Sequence, residues 1–187
     1  MWRFGSLFVV LAACSPGDLR TAYQLRNVDA FSTEANALRV AGEVPNQFEP
    51  RGEDVEMTGI IRIDGGLPQT HRFALVPSEF GALEKGLSTR TAKDANLHVY
   101  KLSSESLPAF NAFRNVARLA EDDEHDAPGS LSVSSPVCRK TAELPARIPV
   151  TVYLKVVEVN HYVRLVNAED VLEGVNPDAL QTAAPRC

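Results

Sequence analysis

The densest group of potential metal ligands is an acidic run, Glu121 to Asp126, that also contains His125. Carboxylate oxygens are the ligands that calcium and magnesium prefer in proteins. The run lacks the regular ligand spacing of an EF-hand loop. It also follows a predicted helix, where the helix dipole disfavours negative charge. A solvated surface loop is therefore the favoured interpretation, and a divalent-cation site is the alternative.

The other candidates for acid–base chemistry are the histidines. His71, His98, His125 and His161 are scattered along the chain, with neither an HExxH spacing nor a Cys/His zinc pattern. No G-x-S-x-G elbow accompanies the serines, and no glycine-rich phosphate loop occurs. The sequence thus predicts no catalytic residue, no metal site and no cofactor. In an enzyme, His98, His161 and the acids near His125 would be the best titratable candidates.

Cys14 is the first of three cysteines, and it ends a short apolar leader. Arg3 supplies a positive charge, and residues 4–13 carry none, as in a signal peptide. This stretch is shorter than the roughly 20 residues that a membrane-spanning helix needs. A thiol is a good nucleophile once ionised. Cys14 is therefore positioned for chemical modification where the leader ends.

The run Leu11-Ala12-Ala13-Cys14 resembles the lipobox of bacterial lipoprotein signal sequences. The resemblance implies transfer of a diacylglyceryl group to the Cys14 sulfur, cleavage before Cys14, and usually acylation of the new amine. Ser15 follows where an Asp would favour retention in the inner membrane, which implies an outer-membrane protein facing the periplasm of a Gram-negative cell. The alternative is an ordinary secretory leader with a cysteine at this position by chance.

These features divide the chain into a signal peptide (1–13), a lipidated tether (14–20) and a single globular domain (21–187). A chain of this size buries about 70% of its unfolded surface. The formal net charge is −5, and the lysines and arginines form no cluster. Neither nucleic acid nor a basic membrane-binding patch is therefore expected. The membrane is expected as a partner only through the lipid, besides a possible envelope protein.

Lipidation of Cys14 would leave Cys138 and Cys187 as an even pair in an oxidising compartment. We predict that they form a disulfide. It would close a loop of about 50 residues and contribute roughly 4 kcal/mol on the chain-entropy model. It would also hold the last residue of the chain, which otherwise would fray. Two free thiols are the alternative.

Alternating apolar and polar residues predict seven or eight short strands. The turn sequence Asp64-Gly65-Gly66 makes 55–76 an antiparallel hairpin. Apolar residues on both faces of 150–159 predict a central strand. Pro50 and Gly52 predict a loop over 46–54. The predicted strands are 37–44, 55–63, 70–76, 96–102, 131–137, 150–159 and 162–166, with a possible edge strand within 23–31.

One segment, 107–119, has the three- and four-residue apolar spacing of an amphipathic helix. Ser106 is a plausible N-cap and Pro108 fits the first turn. The apolar positions are Leu107, Phe110, Phe113, Val116 and Ala120. Strands without alternating helices predict a mainly β fold, an antiparallel β-sandwich of Greek-key, immunoglobulin-like type with this single helix. An α+β sheet with the helix on one face is the alternative.

These patterns favour a membrane-anchored envelope protein that works as a binding or interaction module. The alternative is an envelope enzyme or small-ligand-binding protein with a pocket between sheet and helix. Converging titratable groups in a deep pocket would favour that alternative.

Overall fold

The computed structural model describes residues 34–51, 54–143, 145, 147–157, 161–170 and 184–187. The predicted signal peptide, tether and edge strand within 23–31 lie outside the described residues. The described elements, in chain order, are a 3-10 turn (Ala35–Ala37), β1 (Arg39–Pro45), β2 (Phe48–Pro50), β3 (Glu56–Ile61), β4 (Gln69–Pro77), α1 (Ala82–Ser88), β5 (Ala95–Leu102), α2 (Leu107–Asp122), β6 (Gly129–Ser134), β7 (Val137–Arg139), β8 (Pro149–Lys155) and β9 (Tyr162–Asp170).

Seven of these strands form one antiparallel sheet in the order β6-β3-β4-β5-β1-β8-β9, and β2 and β7 form a second, two-stranded sheet. The large sheet curls along β4. The first part of β4, Gln69 to Ala74, pairs with β3, whereas Leu75 to Pro77 pairs with β5. The mainly β, antiparallel class is confirmed. The finer Greek-key sandwich stays a prediction.

The main hydrophobic core lies between α2 and one face of the large sheet, which we call the inner face. Phe110 and Phe113 of α2 are 0% and 2% exposed and contact Phe73 of β4. Both halves of the curled sheet contribute to this core, through Met57 of β3 and Leu102 of β5 among others. The opposite, outer face is covered in part by α1, where Leu87 packs with Ala41 and Val99.

The sequence predicted the hairpin and the long helix correctly, but the prediction of a single helix was wrong, because α1 also forms, and its seven residues are too few to show a helical period. β3 and β4 pair over 56–61 and 69–74, and α2 begins at Leu107 and runs three residues past the predicted end. The buried position in its third turn is Ala117, not Val116, which is 39% exposed. A helix has 3.6 residues per turn. The buried positions after Phe113 therefore advance by four and then three residues.

One loop prediction and two strand predictions were wrong in detail. The predicted loop 46–54 contains β2, which pairs with β7. The predicted strand 131–137 is interrupted at Ser135 and Pro136, so that β6 and β7 belong to different sheets. β8 ends at Lys155 rather than continuing toward 159, although it is interior as predicted, between β1 and β9.

Candidate binding notch around His98

The acidic run ends α2 and does not form a metal site among the described residues. Glu124 has a φ of 60°, and the His125 amide donates to the Ala120 carbonyl at 2.8 Å, which is how many helices terminate. The run then docks on the β3–β4 turn: His125 Nδ1 lies 2.6 Å from an Asp64 carboxylate oxygen, and the Asp126 amide donates to Asp64 at 3.1 Å. This favours the loop interpretation over the cation site.

The four histidines do not converge. His71 of β4 is exposed and its ring lies 5.2 Å from that of Phe113. His125 pairs with Asp64, and His161 is exposed immediately before β9. His98 of β5 lies on the inner face with Tyr100 and Leu102. It differs from the other three because its Nε2 atom is buried without a hydrogen-bond partner among the described residues.

His98 stands beside a gap in the inner face. Its cross-strand neighbour is Gly42 of β1, which in turn lies opposite Val152 of β8. Gly42 shares a face with the buried Val40, since side chains alternate along a strand. A Cβ atom added at Gly42 would have no described atom within 4 Å. We call the space bounded by Gly42, His98 and Val152 the notch.

The surroundings of His98 lower its pKa and so favour its neutral form. Burial lowers the pKa of His98; the negative charge of Glu49 opposes this shift and the positive charge of Lys140 adds to it. Glu49 and Lys140 form an ion pair across the small sheet, and the hydrogen bond from Lys140 lowers the pKa of Glu49. A neutral imidazole carries one donor and one acceptor nitrogen. The notch can therefore offer a single uncharged hydrogen-bonding group to a small polar molecule.

The small sheet and the disulfide position these charges. Cys138 of β7 lies opposite Glu49 of β2, and the Lys140 amide donates to the Gln47 carbonyl at 2.7 Å. Cys138 and Cys187 are joined in a disulfide with their Cα atoms 5.0 Å apart, consistent with the pairing predicted from the sequence. The Cys187 amide also donates to the Arg139 carbonyl at 3.1 Å, which ties the end of the chain to β7.

A second polar cluster on the outer face holds α1 against the sheet. The Tyr162 hydroxyl donates to Glu84 at 2.8 Å, and Lys155 Nζ lies 3.7 Å from the same carboxylate oxygen. The other Glu84 oxygen accepts from the Gly81 amide at the start of α1, at 3.0 Å. Burial would raise the pKa of Glu84, but the hydrogen bond from Tyr162, the backbone donors and Lys155 together lower it.

A similar pair lies one strand away, where the Tyr153 hydroxyl donates to Glu43 at 2.6 Å. Burial and these carboxylate partners raise the pKa of both Tyr153 and Tyr162. Each carboxylate thus accepts from a neutral phenol. We assign this cluster a structural role, because its carboxylates and hydroxyls are used in holding the sheet and α1 together.

Sequence patterns single out His98 as a titratable candidate, but not the residues that surround it nor the outer-face cluster. Alternation alone places Gly42 beside Val40 on the inner face, but the pairing of β1 with β5 is needed to bring it to His98. Cys14, the predicted lipidation site, lies outside the described residues. No helix in the described part of the chain is long and apolar enough to cross a bilayer.

Comparison of the chain with models of known protein families, with curated proteins and with solved structures finds no match.

Proposed function

We propose that this protein is a lipid-anchored envelope protein whose folded domain is an interaction module. The observation that carries the proposal is the run Leu11-Ala12-Ala13-Cys14 at the end of an uncharged leader. In this proposal residues 1–13 are removed, Cys14 carries the lipid, and the tether 14–20 holds the domain 21–187 near the outer membrane, facing the periplasm. A disulfide between Cys138 and Cys187 supports an oxidising location of this kind.

The proposed anchor determines what the domain has to do. Each buried methylene contributes about 0.8 kcal/mol to membrane binding, and one acyl chain alone holds only marginally. Two or three chains on Cys14 would make attachment lasting. The domain then needs no membrane-binding face of its own. Confinement to a surface raises its effective concentration near membrane-bound partners, which favours weak but specific contacts.

Several titratable groups of the domain take part in contacts within the fold, which favours binding over catalysis by these groups. Glu84 and Glu43 accept from tyrosine hydroxyls, and His125 pairs with Asp64 in a surface turn. Such groups are already occupied by partners within the fold. The sheet also has a regular outermost strand, β6, that can take part in strand pairing.

The experiment compares the full chain with Cys14→Ser, expressed with its leader. The wild-type chain should fractionate with membranes and resist extraction by high salt, whereas Cys14→Ser should appear in the soluble fraction or remain unprocessed. Cys187→Ser is the control for losing a cysteine, and it should stay with the membranes. Unchanged membrane retention of Cys14→Ser would overturn the anchor.

The interaction role is tested separately by crosslinking in intact cells followed by mass spectrometry. A reproducible crosslinked species containing this chain is expected. Failure to find one, with membrane attachment intact, would overturn the interaction role while leaving the anchor in place.

We further propose that the two halves of the curled sheet pack face to face, as in the predicted Greek-key sandwich. Support comes from the shared core, in which Met57 from one half and Leu102 from the other lie in one cluster. The strand directions of the halves in a crystal structure test this. An angle near 90° between the strand directions would indicate orthogonal packing, and an angle of about 30° would indicate an aligned sandwich. A nearly flat sheet would contradict both.

The notch supports a second candidate function, binding of a small polar molecule. It combines open space at Gly42 with an unpartnered nitrogen on His98. The test is a fragment library of small neutral molecules screened by NMR against the isotope-labelled chain. Hits should shift the His98 resonances, and Gly42→Leu, which fills the notch, should abolish those shifts. Hits that survive Gly42→Leu, or an absence of hits, would contradict this function.

A further inference from the structure

The two outermost strands of the large sheet differ in how they are protected. Edge strands present unpaired amides and carbonyls, and natural proteins protect them with charges, prolines or bulges. β9 carries Arg164 and Asp170, and its pairing with β8 has register shifts at Val152. β6 carries no charge and no proline within its six residues, and all six pair with β3 without a shift. Among the described residues, β3 is the only strand paired with β6.

The sequence of β6 separates its two faces cleanly. Ser130, Ser132 and Ser134 project to the outer face, because they lie opposite Ile60, Thr58 and Glu56 of β3, the partly or fully exposed positions of that strand. Leu131 and Val133 project to the inner face. Leu131 packs against the main core, but Val133 is 40% exposed. The inner face thus ends at β6 with an apolar side chain only partly covered.

We propose that β6 pairs antiparallel with β6 of a second copy of this chain, about a two-fold axis that passes beside Ser132. A two-fold interface requires a surface that is complementary to itself. In this register Ser132 lies opposite Ser132 of the second copy, Ser130 lies opposite Ser134, and Leu131 lies opposite Val133. Serines therefore meet serines on the outer face, apolar residues meet on the inner face, and no like charges meet.

The same register leaves room for α2. Neighbouring strands are about 4.8 Å apart, so the two β3 strands would lie about 14 Å from each other, three spacings away. α2 packs mainly over β4, one strand further from the axis, and its Phe113 ring reaches toward Gly59 of β3. A helix with its side chains is about 10–12 Å across, so the two copies of α2 clear each other. The dimer continues both the sheet and the core across the axis and covers Val133.

Site-directed crosslinking of the full chain in membranes tests the register. Ser132 is exposed and faces its own counterpart, and opposed residues of antiparallel strands have Cα atoms about 4.5–5.5 Å apart, within the range a disulfide spans. Ser132→Cys should give a disulfide-linked dimer under mild oxidation. The matched control is Thr58→Cys, on the same face directly opposite Ser132 but one strand further in. It should give no more dimer than the wild-type chain.

Three outcomes of this experiment would overturn the proposal. They are equal dimer yields from Ser132→Cys and Thr58→Cys, no dimer from Ser132→Cys, and a link from Ser132→Cys to a different protein. The last outcome would mean that β6 accepts a strand from a heterologous partner instead.

A charge at the axis provides the second test. Ser132→Lys would place two ammonium groups opposite each other, and edge lysines oppose strand pairing. Light scattering of the full chain in detergent should show a mass that rises toward the dimer with concentration for the wild type and for Thr58→Lys, but a monomer at the same concentrations for Ser132→Lys. Circular dichroism confirms that the variants remain folded. A wild-type chain that stays monomeric throughout, or a Ser132→Lys chain that still dimerises, would overturn the proposal.

Discussion

Replacement of Gly59 by alanine is expected to destabilise the domain through one contact. Gly59 lies in the middle of β3, on the inner face, where α2 approaches the sheet. An added Cβ would lie 2.7 and 2.8 Å from two ring atoms of Phe113 and 3.2 Å from a ring atom of Phe73. Both rings are almost completely buried, at 2% and 1% exposure. They have little space in which to move.

The magnitude follows from two opposing effects. Overpacking of a tight core costs about 1–3 kcal/mol, and the loss of glycine's freedom in the unfolded chain returns about 0.4–1 kcal/mol. Gly59→Ala should therefore lower the free energy of unfolding by about 1–2 kcal/mol. For a domain of this size that is a decrease of roughly 2–8 °C in Tm.

Gly42→Ala is the matched control, because its Cβ would meet no described atom within 4 Å. It should leave stability unchanged or raise it by up to about 1 kcal/mol. Denaturant unfolding followed by circular dichroism measures both variants. In the Phe113→Leu background, Gly59→Ala should lower the free energy of unfolding by less, since the ring atoms that the new Cβ would overlap are absent. Equal stabilities for Gly59→Ala and Gly42→Ala would show that a Cβ at Gly59 causes no overpacking against Phe113.

Three further predictions concern the disulfide, Glu84 and His98. Replacing Cys138 and Cys187 together by serine should lower the free energy of unfolding by about 4 kcal/mol, measured by urea unfolding. A wild-type stability that does not change on adding reductant would contradict this. Because the folded-state pKa of Glu84 is lowered, its contribution to stability is present above its unfolded pKa and lost as the pH falls through the folded value. Thermal unfolding between pH 7 and 3 should thus show a smaller loss of stability for Glu84→Gln than for the wild type. Equal losses would argue against this contribution of Glu84. Because the pKa of His98 is lowered, its imidazole should titrate with a midpoint below pH 6.5, followed by NMR of its ring protons. The free energy of unfolding should fall as the pH drops below that value. A midpoint at or above 6.5 would be inconsistent with the notch as described.

Local patterns predicted the elements whose own side chains determine them. The hairpin 55–76 follows from alternation interrupted by Asp64-Gly65-Gly66, and Gly65 has a φ of 70° that suits glycine. α2 follows from its apolar spacing, although the expected N-cap, Ser106, uses its hydroxyl to accept from the Ala74 amide of β4 at 2.9 Å. A side chain at a helix start can serve a neighbouring strand, and the sequence does not distinguish the two uses.

The sequence failed to predict features that depend on contacts between segments far apart in the chain. β2 contains Pro50 and is only three residues long, and it forms because β7 pairs with it beside the disulfide. The hydrogen bond of Glu84 with Tyr162 joins residues 78 positions apart, and that of Glu43 with Tyr153 joins residues 110 apart. No spacing rule connects such pairs, because they depend on which strands become neighbours in the sheet.

The identity of the mature amino terminus decides whether the chain is anchored through Cys14. Mass spectrometry of the purified native protein, after protease digestion, identifies the first peptide and its mass. This peptide should begin at Cys14 and carry the added mass of a diacylglyceryl group, with or without a further acyl chain on the amine. A first peptide that contains an unmodified Cys14, or that retains residues 1–13, would contradict lipidation and cleavage at Cys14.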